Sequence, residues 1–166
     1  MVHEVGHALG LPHDARRSDL YFMGDGFRNF QRLYARDITE EHKPTFSVEN
    51  GRILGRSRFL TGNVELFDFR RPSAEMKIEG PLSTESTSVT VNLKLRDNAG
   101  LSSLLVFAFN QDGVIGGSEL KGTGTSLKLT LPLRKPTSGL FRLEAYVTDV
   151  GGNLTRVVSQ STVRGK

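Results

Sequence analysis

The pattern that indicates a β-rich fold most clearly lies at residues 90–96, which read Thr-Val-Asn-Leu-Lys-Leu-Arg. Polar and apolar side chains alternate with a period of two, as they do when one face of a strand is buried and the other is solvated. The same alternation recurs at residues 127–131 and 141–147. Turn sequences rich in Gly, Asn and Asp separate these segments, for example at 97–100 and 151–153. From about residue 74 onward, the sequence therefore predicts short strands joined by turns.

Seven strands are predicted in this half of the chain, and their number and spacing suit a two-sheet sandwich. They cover residues 75–79, 87–96, 103–109, 113–118, 126–133, 140–148 and 153–163. This texture resembles bacterial immunoglobulin-like and fibronectin type III-like modules. The resemblance implies a spacer or binding module, with contact to a surface or a polysaccharide through the sandwich. Asp and Asn residues in its turns could bind Ca²⁺, but turn formation explains them without a metal.

The N-terminal end carries the most specific chemistry. His3 and His7 are four residues apart, so a helix presents both rings on one face, where two nitrogens can hold one zinc ion. Gly10 provides a turn that lets His13 reach the same ion, because glycine accepts a positive φ. Glu4 lies beside the first histidine and suits a general base. The alternative is a helix with exposed histidines and a glycine cap.

Residues 3–14 resemble the zinc motif of the metzincin metallopeptidases, His-Glu-x-x-His-x-x-Gly-x-x-His-Asp. The resemblance implies Zn²⁺ as the cofactor, the three histidines as its ligands and Glu4 as the catalytic base. It also implies that Met23 forms the methionine turn beneath the metal. The expected reaction is hydrolysis of a protein or peptide substrate by metal-activated water. No other cofactor-binding residue is predicted.

Composition narrows the range of partners. The formal net charge is +4, and no basic stripe is interleaved with aromatic residues, so nucleic acid is not expected as a partner. The chain has no cysteine, which excludes a disulfide scaffold and thiol chemistry. It also has no apolar run of about 18 residues, so no membrane-spanning helix is expected.

These observations predict a mixed fold of two parts. Residues 1–67 are expected to be a mainly helical C-terminal subdomain of a metzincin whose N-terminal part is missing, including a helix over about 48–60 with Ser47 as its N-cap. Residues 74–166 are expected to form an immunoglobulin-like β-sandwich.

The function predicted from the sequence is that of a zinc metalloendopeptidase, a fragment of a larger secreted protease. Such a fragment is expected to bind zinc weakly when it is isolated. The alternative is a non-catalytic extracellular binding or adhesion module that carries a remnant zinc site.

Overall fold

The computed structural model describes residues 2–61, 68–111 and 113–165. The α-helices are α1 (Val2–Ala8), α2 (Val48–Leu54) and α3 (Arg58–Thr61), and short 3-10 helices cover Gly26–Tyr34, Glu40–His42 and Phe109–Gln111. The strands are β1 (Ser73–Glu79), β2 (Leu82–Ser83), β3 (Ser88–Arg96), β4 (Leu101–Ala108), β5 (Gly113–Glu119), β6 (Gly124–Pro132), β7 (Gly139–Asp149) and β8 (Leu154–Arg164). All seven predicted strands are present within one to two residues of their predicted ends, and β2 was not predicted.

The strands form two sheets. A three-stranded sheet has the order β1-β3-β6 and is antiparallel throughout. A five-stranded sheet has the order β2-β8-β7-β4-β5, in which only the short β2 pairs in parallel. The alternation at residues 90–96 sets the register between β3 and its neighbour, so that Val91 lies opposite Leu129 and Leu93 opposite Leu127. All four side chains therefore lie on the same face of that sheet.

The main hydrophobic core lies between the two sheets. The alternating residues Val91, Leu93 and Leu95 of β3 are fully buried there, together with Leu143 and Val147 of β7. Sandwiches of this kind gain most of their stability from such interdigitated apolar faces.

A second hydrophobic cluster covers the outer face of the five-stranded sheet. Leu105 and Phe107 of β4 contact Leu11, Met23 and Ile53 of the N-terminal segment. Every residue of β4 is buried, because the core covers one face of the strand and the N-terminal segment covers the other. The N-terminal segment therefore forms a third layer on the sandwich.

The prediction of a mainly helical N-terminal part is wrong. Strands make up 43% of the structure and helices 20%, and the α-helices described have seven, seven and four residues. Gly10 turns the chain after α1, and Gly55 caps α2, which splits the predicted helix over 48–60 into α2 and α3. Ser47 does accept a hydrogen bond from the Asn50 N–H, as an N-cap does.

The division into two domains stays a prediction. Its first boundary, residue 67, lies outside the described residues, and residue 74 is the second residue of β1. No helix in the described part of the chain is both long enough and apolar enough to cross a membrane.

Candidate metal centre

The structure brings the three predicted histidine ligands together. The Nε2 atom of His7 lies 3.1 Å from Nε2 of His3 and 3.0 Å from Nε2 of His13. Nitrogens bound to one tetrahedral zinc at about 2.0–2.1 Å lie about 3.3–3.4 Å apart, so a small adjustment would seat the ion. His3 is buried, whereas His7 is half-buried and His13 is exposed, which leaves the centre open to solvent on one side.

Hydrogen bonds at the other ring nitrogens fix the tautomers of two of these histidines. The Nδ1–H of His3 donates to the Phe22 carbonyl at 2.7 Å, and the Nδ1–H of His7 donates to the Leu11 carbonyl at 2.9 Å. A carbonyl can only accept, so each Nδ1 carries the proton and each Nε2 presents a lone pair. Lone pairs that face each other at this distance repel, and a shared cation removes the repulsion. Histidine ligands of metals are commonly held in this way, so the donor set fits zinc.

Gly10 and the residues after it place the third histidine. The φ of Gly10 is +86°, a conformation that favours glycine. A Cβ at this position would also lie 2.6 Å from a side-chain carbon of Leu154 in β8. The chain reverses there, and the Asp14 N–H then donates to the Met23 carbonyl at 2.9 Å. The turn that carries His13 is therefore tied to the segment beneath α1.

Met23 lies beneath α1, where the sequence placed a methionine turn. Its side chain is completely buried, and its sulfur lies so close to Gly6 that a Cβ at residue 6 would collide with it. The preceding residue, Phe22, supplies the carbonyl that orients His3. Met23 supports the helix by packing, and the peptide groups of this segment hold two of the three histidine positions.

Behind the His13 turn, an arginine links two carboxylates. Arg16 binds Asp14 with two nitrogens, at 2.9 and 2.7 Å, and binds Glu49 of α2 with two, at 3.2 and 2.6 Å. Asp14 is completely buried. The hydrogen bond to Arg16 is the main cause that lowers the pKa of Glu49 below its usual value, against the opposing effect of burial. The hydrogen bond to Asp14 is likewise the main cause that raises the pKa of Arg16.

Glu4 lies on α1 between the two helical histidines, and it is exposed. Its role as a base stays a prediction.

An open cleft of about 620 Å³ lies beside the histidines. Its lining includes His3, His13 and Phe27 from the N-terminal segment, and Phe107 of β4 and Phe109 of the following 3-10 helix from the sandwich. The Phe27 ring lies 4.8 Å from the His3 ring, and Phe109 is 62% exposed. Both layers of the molecule therefore border the metal centre. Sequence reasoning missed the contribution of the sandwich.

A second cluster of possible ligands is formed by Asp68, Asp97 and Asp149. Here the turns engage the carboxylates: Asp97 accepts hydrogen bonds from two backbone N–H groups, and Asp149 accepts two from Asn153. Burial is the first cause that raises the pKa of Asp149, and the nearby charges of Asp97 and Asp68 add to it. Turn hydrogen bonds engage Oδ2 of Asp97 and both oxygens of Asp149, whereas Oδ1 of Asp97 is buried without a hydrogen-bond partner among the described residues.

Comparison with solved structures shows the fold alone. The chain is similar to OgpA from Akkermansia muciniphila, with a TM-score of 0.64 and 14% identity over 96% of this chain and 48% of that one. It is also similar to catalytically inactive OgpA in complex with an O-glycopeptide (glycodrosocin) substrate, with a TM-score of 0.65 and 16% identity over 95% of this chain and 47% of that one. The chain thus spans about half the length of these structures. Fibronectin(III)-like modules of CbhA from Clostridium thermocellum match over 55% of this chain, with a TM-score of 0.37 and 12% identity.

The assignment to the metzincins is wrong. No protein-family model matches this chain, and no curated protein matches it. The fold that the comparisons support is a β-sandwich type, and the helices are few and short. Of the family and functional classes predicted from the sequence, the immunoglobulin-like module is the one that fits, whereas a metalloprotease class has no support.

Proposed function

We propose that this chain is an extracellular β-sandwich module that holds one zinc ion through His3, His7 and His13 and binds an O-glycosylated peptide beside it. The Nε2 atoms of His3 and His13 both lie within 3.1 Å of Nε2 of His7, and this convergence carries the zinc part of the proposal. These atoms come from a helix and from the turn after it, and backbone carbonyls orient two of the rings. Such prior orientation reduces the ordering that metal binding would otherwise require.

Two observations support a glycopeptide as the ligand. One of the OgpA structures, which matches 95% of this chain and 47% of its own, was solved with an O-glycopeptide substrate. The cleft beside the histidines also combines aromatic rings, the exposed Phe109 and the half-buried Phe27, with the polar groups of Asp25 and Arg28. Binding sites for small ligands usually have this mixture of apolar walls and a few polar groups.

Zinc binding is tested by titrating the metal-free chain with zinc in competition with a chelating dye. We expect a single site, and we expect His13→Ala to weaken it about 100-fold or more, because even changes to groups behind a ligand cost 10–100-fold. His42→Ala is the matched control, because His42 is exposed on a separate 3-10 helix. Equal zinc affinity in the His13→Ala chain would overturn the zinc site.

Glycopeptide binding is tested next, by calorimetry with an O-glycopeptide and with the same peptide lacking its sugar. We expect zinc-loaded chain to bind the glycosylated form more tightly. Equal affinity for both forms would reject the sugar as part of the ligand.

Peptide hydrolysis is a second candidate function, and the intact Glu4 beside His3 favours it. When bound, zinc supplies Lewis acidity towards a carbonyl and towards water. The Glu4 carboxylate would take a proton from the attacking water as the new C–O bond forms. It would then pass the proton to the nitrogen as the C–N bond breaks, so that the products are a carboxylic acid and an amine.

Mass spectrometry of the glycopeptide after incubation separates the two functions. Cleavage by the zinc-loaded chain that is lost in Glu4→Gln, with zinc affinity retained, would establish hydrolysis. An uncut peptide that nevertheless binds would establish a binding module.

A further inference from the structure

We propose that Arg16 and Glu49 position the third histidine, so that the packing of the sandwich governs the metal affinity of the centre. This inference rests on the proposed zinc site. Neither residue belongs to the histidine motif, and Glu49 lies 36 residues after His13 in the sequence. Both are positioning residues, because Arg16 acts through Asp14 and Glu49 acts through Arg16.

The first link runs from the histidine turn to Arg16. Asp14 directly follows His13, and its carboxylate is completely buried. Both of its oxygens accept hydrogen bonds from the Arg16 guanidinium, at 2.9 and 2.7 Å. Two parallel bonds between a planar guanidinium and a carboxylate fix orientation as well as distance. The conformation of residue 14, and with it the end of the turn that carries His13, is therefore set by where Arg16 lies.

The second link runs from Arg16 to the sandwich. Its guanidinium also makes two hydrogen bonds to Glu49 of α2, at 3.2 and 2.6 Å. The Glu49 side chain packs against the backbone of β5: a Cβ at Gly117 would lie 2.6 Å from Cγ of Glu49. Because residue 117 has no side chain, the Glu49 side chain can lie against the β5 backbone in the position from which it bonds Arg16.

The buried carboxylate explains why this arrangement matters for the metal. Asp14 is held from two sides, by Arg16 and by its own N–H on the Met23 carbonyl. A shift of Glu49 moves Arg16, and the buried Asp14 must then follow or lose its counter-charge. Either change displaces the neighbouring His13. His3 and His7 are held by separate carbonyls that Arg16 and Glu49 do not bond, so a change at Glu49 should act on the third ligand.

The first test is a thermodynamic cycle in zinc affinity. Arg16→Gln would leave Asp14 buried without a counter-charge and can prevent folding, so Glu49→Gln is the working variant. We expect Glu49→Gln to weaken zinc binding about tenfold. In the His13→Ala background, the same change should have no further effect, because the ligand that it positions is gone. The cobalt-loaded chain should show weaker visible absorption bands in Glu49→Gln than in wild type.

The second test uses two adjacent glycines of β5. Gly117→Ala pushes against Glu49, whereas Gly116→Ala pushes against Leu131 in the core between the sheets, with the nearest atom at 2.6 Å in each case. Both are expected to lower the melting temperature. Only Gly117→Ala is expected to weaken zinc binding, by about threefold to tenfold.

Three results would overturn the inference: an unchanged zinc affinity in Glu49→Gln, an equal loss in the His13→Ala background, or equal losses in the two glycine variants. A wild-type chain that binds no zinc would overturn the proposed function and this inference together. A chain that binds zinc with no effect of Glu49 would overturn this inference alone.

Discussion

The sandwich and the N-terminal layer on its outer face are stabilised in different ways. The sandwich core contains 18 buried apolar side chains in the described part of the chain, most of them from strands in which buried and exposed residues alternate. In the second cluster, the N-terminal layer contributes three buried side chains, Leu11, Met23 and Ile53, with Phe46 and Leu54 partly buried beside them. Close contacts at Gly6 and Gly10, and the Arg16 pairs, determine its shape. The alternation of buried and exposed residues therefore stabilises the sandwich, whereas a few specific contacts position the histidines.

The largest effect is expected from the core of the sandwich. Leu93→Ala removes a side chain that is 1% exposed, and it should lower the free energy of unfolding by about 2–5 kcal/mol. Urea unfolding measures this loss. Leu140→Ala is the control, because Leu140 is 60% exposed, and it should change little. Similar losses in both variants would contradict the placement of the core.

A smaller effect is expected in the N-terminal layer. Gly6→Ala forces Met23 to move, which should cost roughly 1–3 kcal/mol and weaken zinc binding. Gly51→Ala in α2 is the matched control, because a Cβ there meets nothing within 4 Å. The control is expected to stabilise the protein by about 0.4–1 kcal/mol. If Gly6→Ala were as stable as wild type and bound zinc equally well, close packing beneath α1 would not be required.

Phe109 provides a test of the boundary between the two layers, because it belongs to the sandwich side but borders the histidine cleft. Phe109→Ala should weaken glycopeptide binding by roughly threefold to tenfold, from about 0.5–1.5 kcal/mol of lost ring contact. The melting temperature should hardly change, since the ring is largely exposed. Phe69→Ala, at another exposed phenylalanine, is expected to bind normally. Unchanged binding by both variants would remove Phe109 from the ligand site.

The smallest effect is a pH dependence from Glu49. Its pKa is lowered in the folded chain, first by the hydrogen bond from Arg16. Glu49 therefore contributes stability that is complete above its usual value of 4.5 and is lost as the pH falls through the lowered pKa. The difference in unfolding free energy between the metal-free wild type and Glu49→Gln should thus be constant near neutral pH and should shrink as the pH falls below 4.5. A constant difference would show that the ionised carboxylate is not what stabilises the contact.

Sequence reasoning reached the strands because alternation is a local signal. It placed seven strands closely, and it singled out His3, His7 and His13 from their spacing. It was wrong about a mainly helical first part, because the predicted helix over 48–60 is divided into α2 and α3 and much of the remaining segment is held in turns and 3-10 helices. It missed Arg16, Glu49 and Phe109, whose partners lie far away in the chain. One available signal was the near-continuous apolar run of β4, which is typical of a strand buried on both faces.

The sequence by itself determined the alternation of the strands, the turns between them and a histidine spacing that can converge on one ion, since each depends on neighbours within a few residues. Only the tertiary structure decided that the N-terminal segment packs on the outer face of the sandwich. It alone placed Glu49 within reach of Arg16 and Phe109 beside the histidines. Contacts between distant segments depend on how whole layers pack, and no local periodicity records that packing.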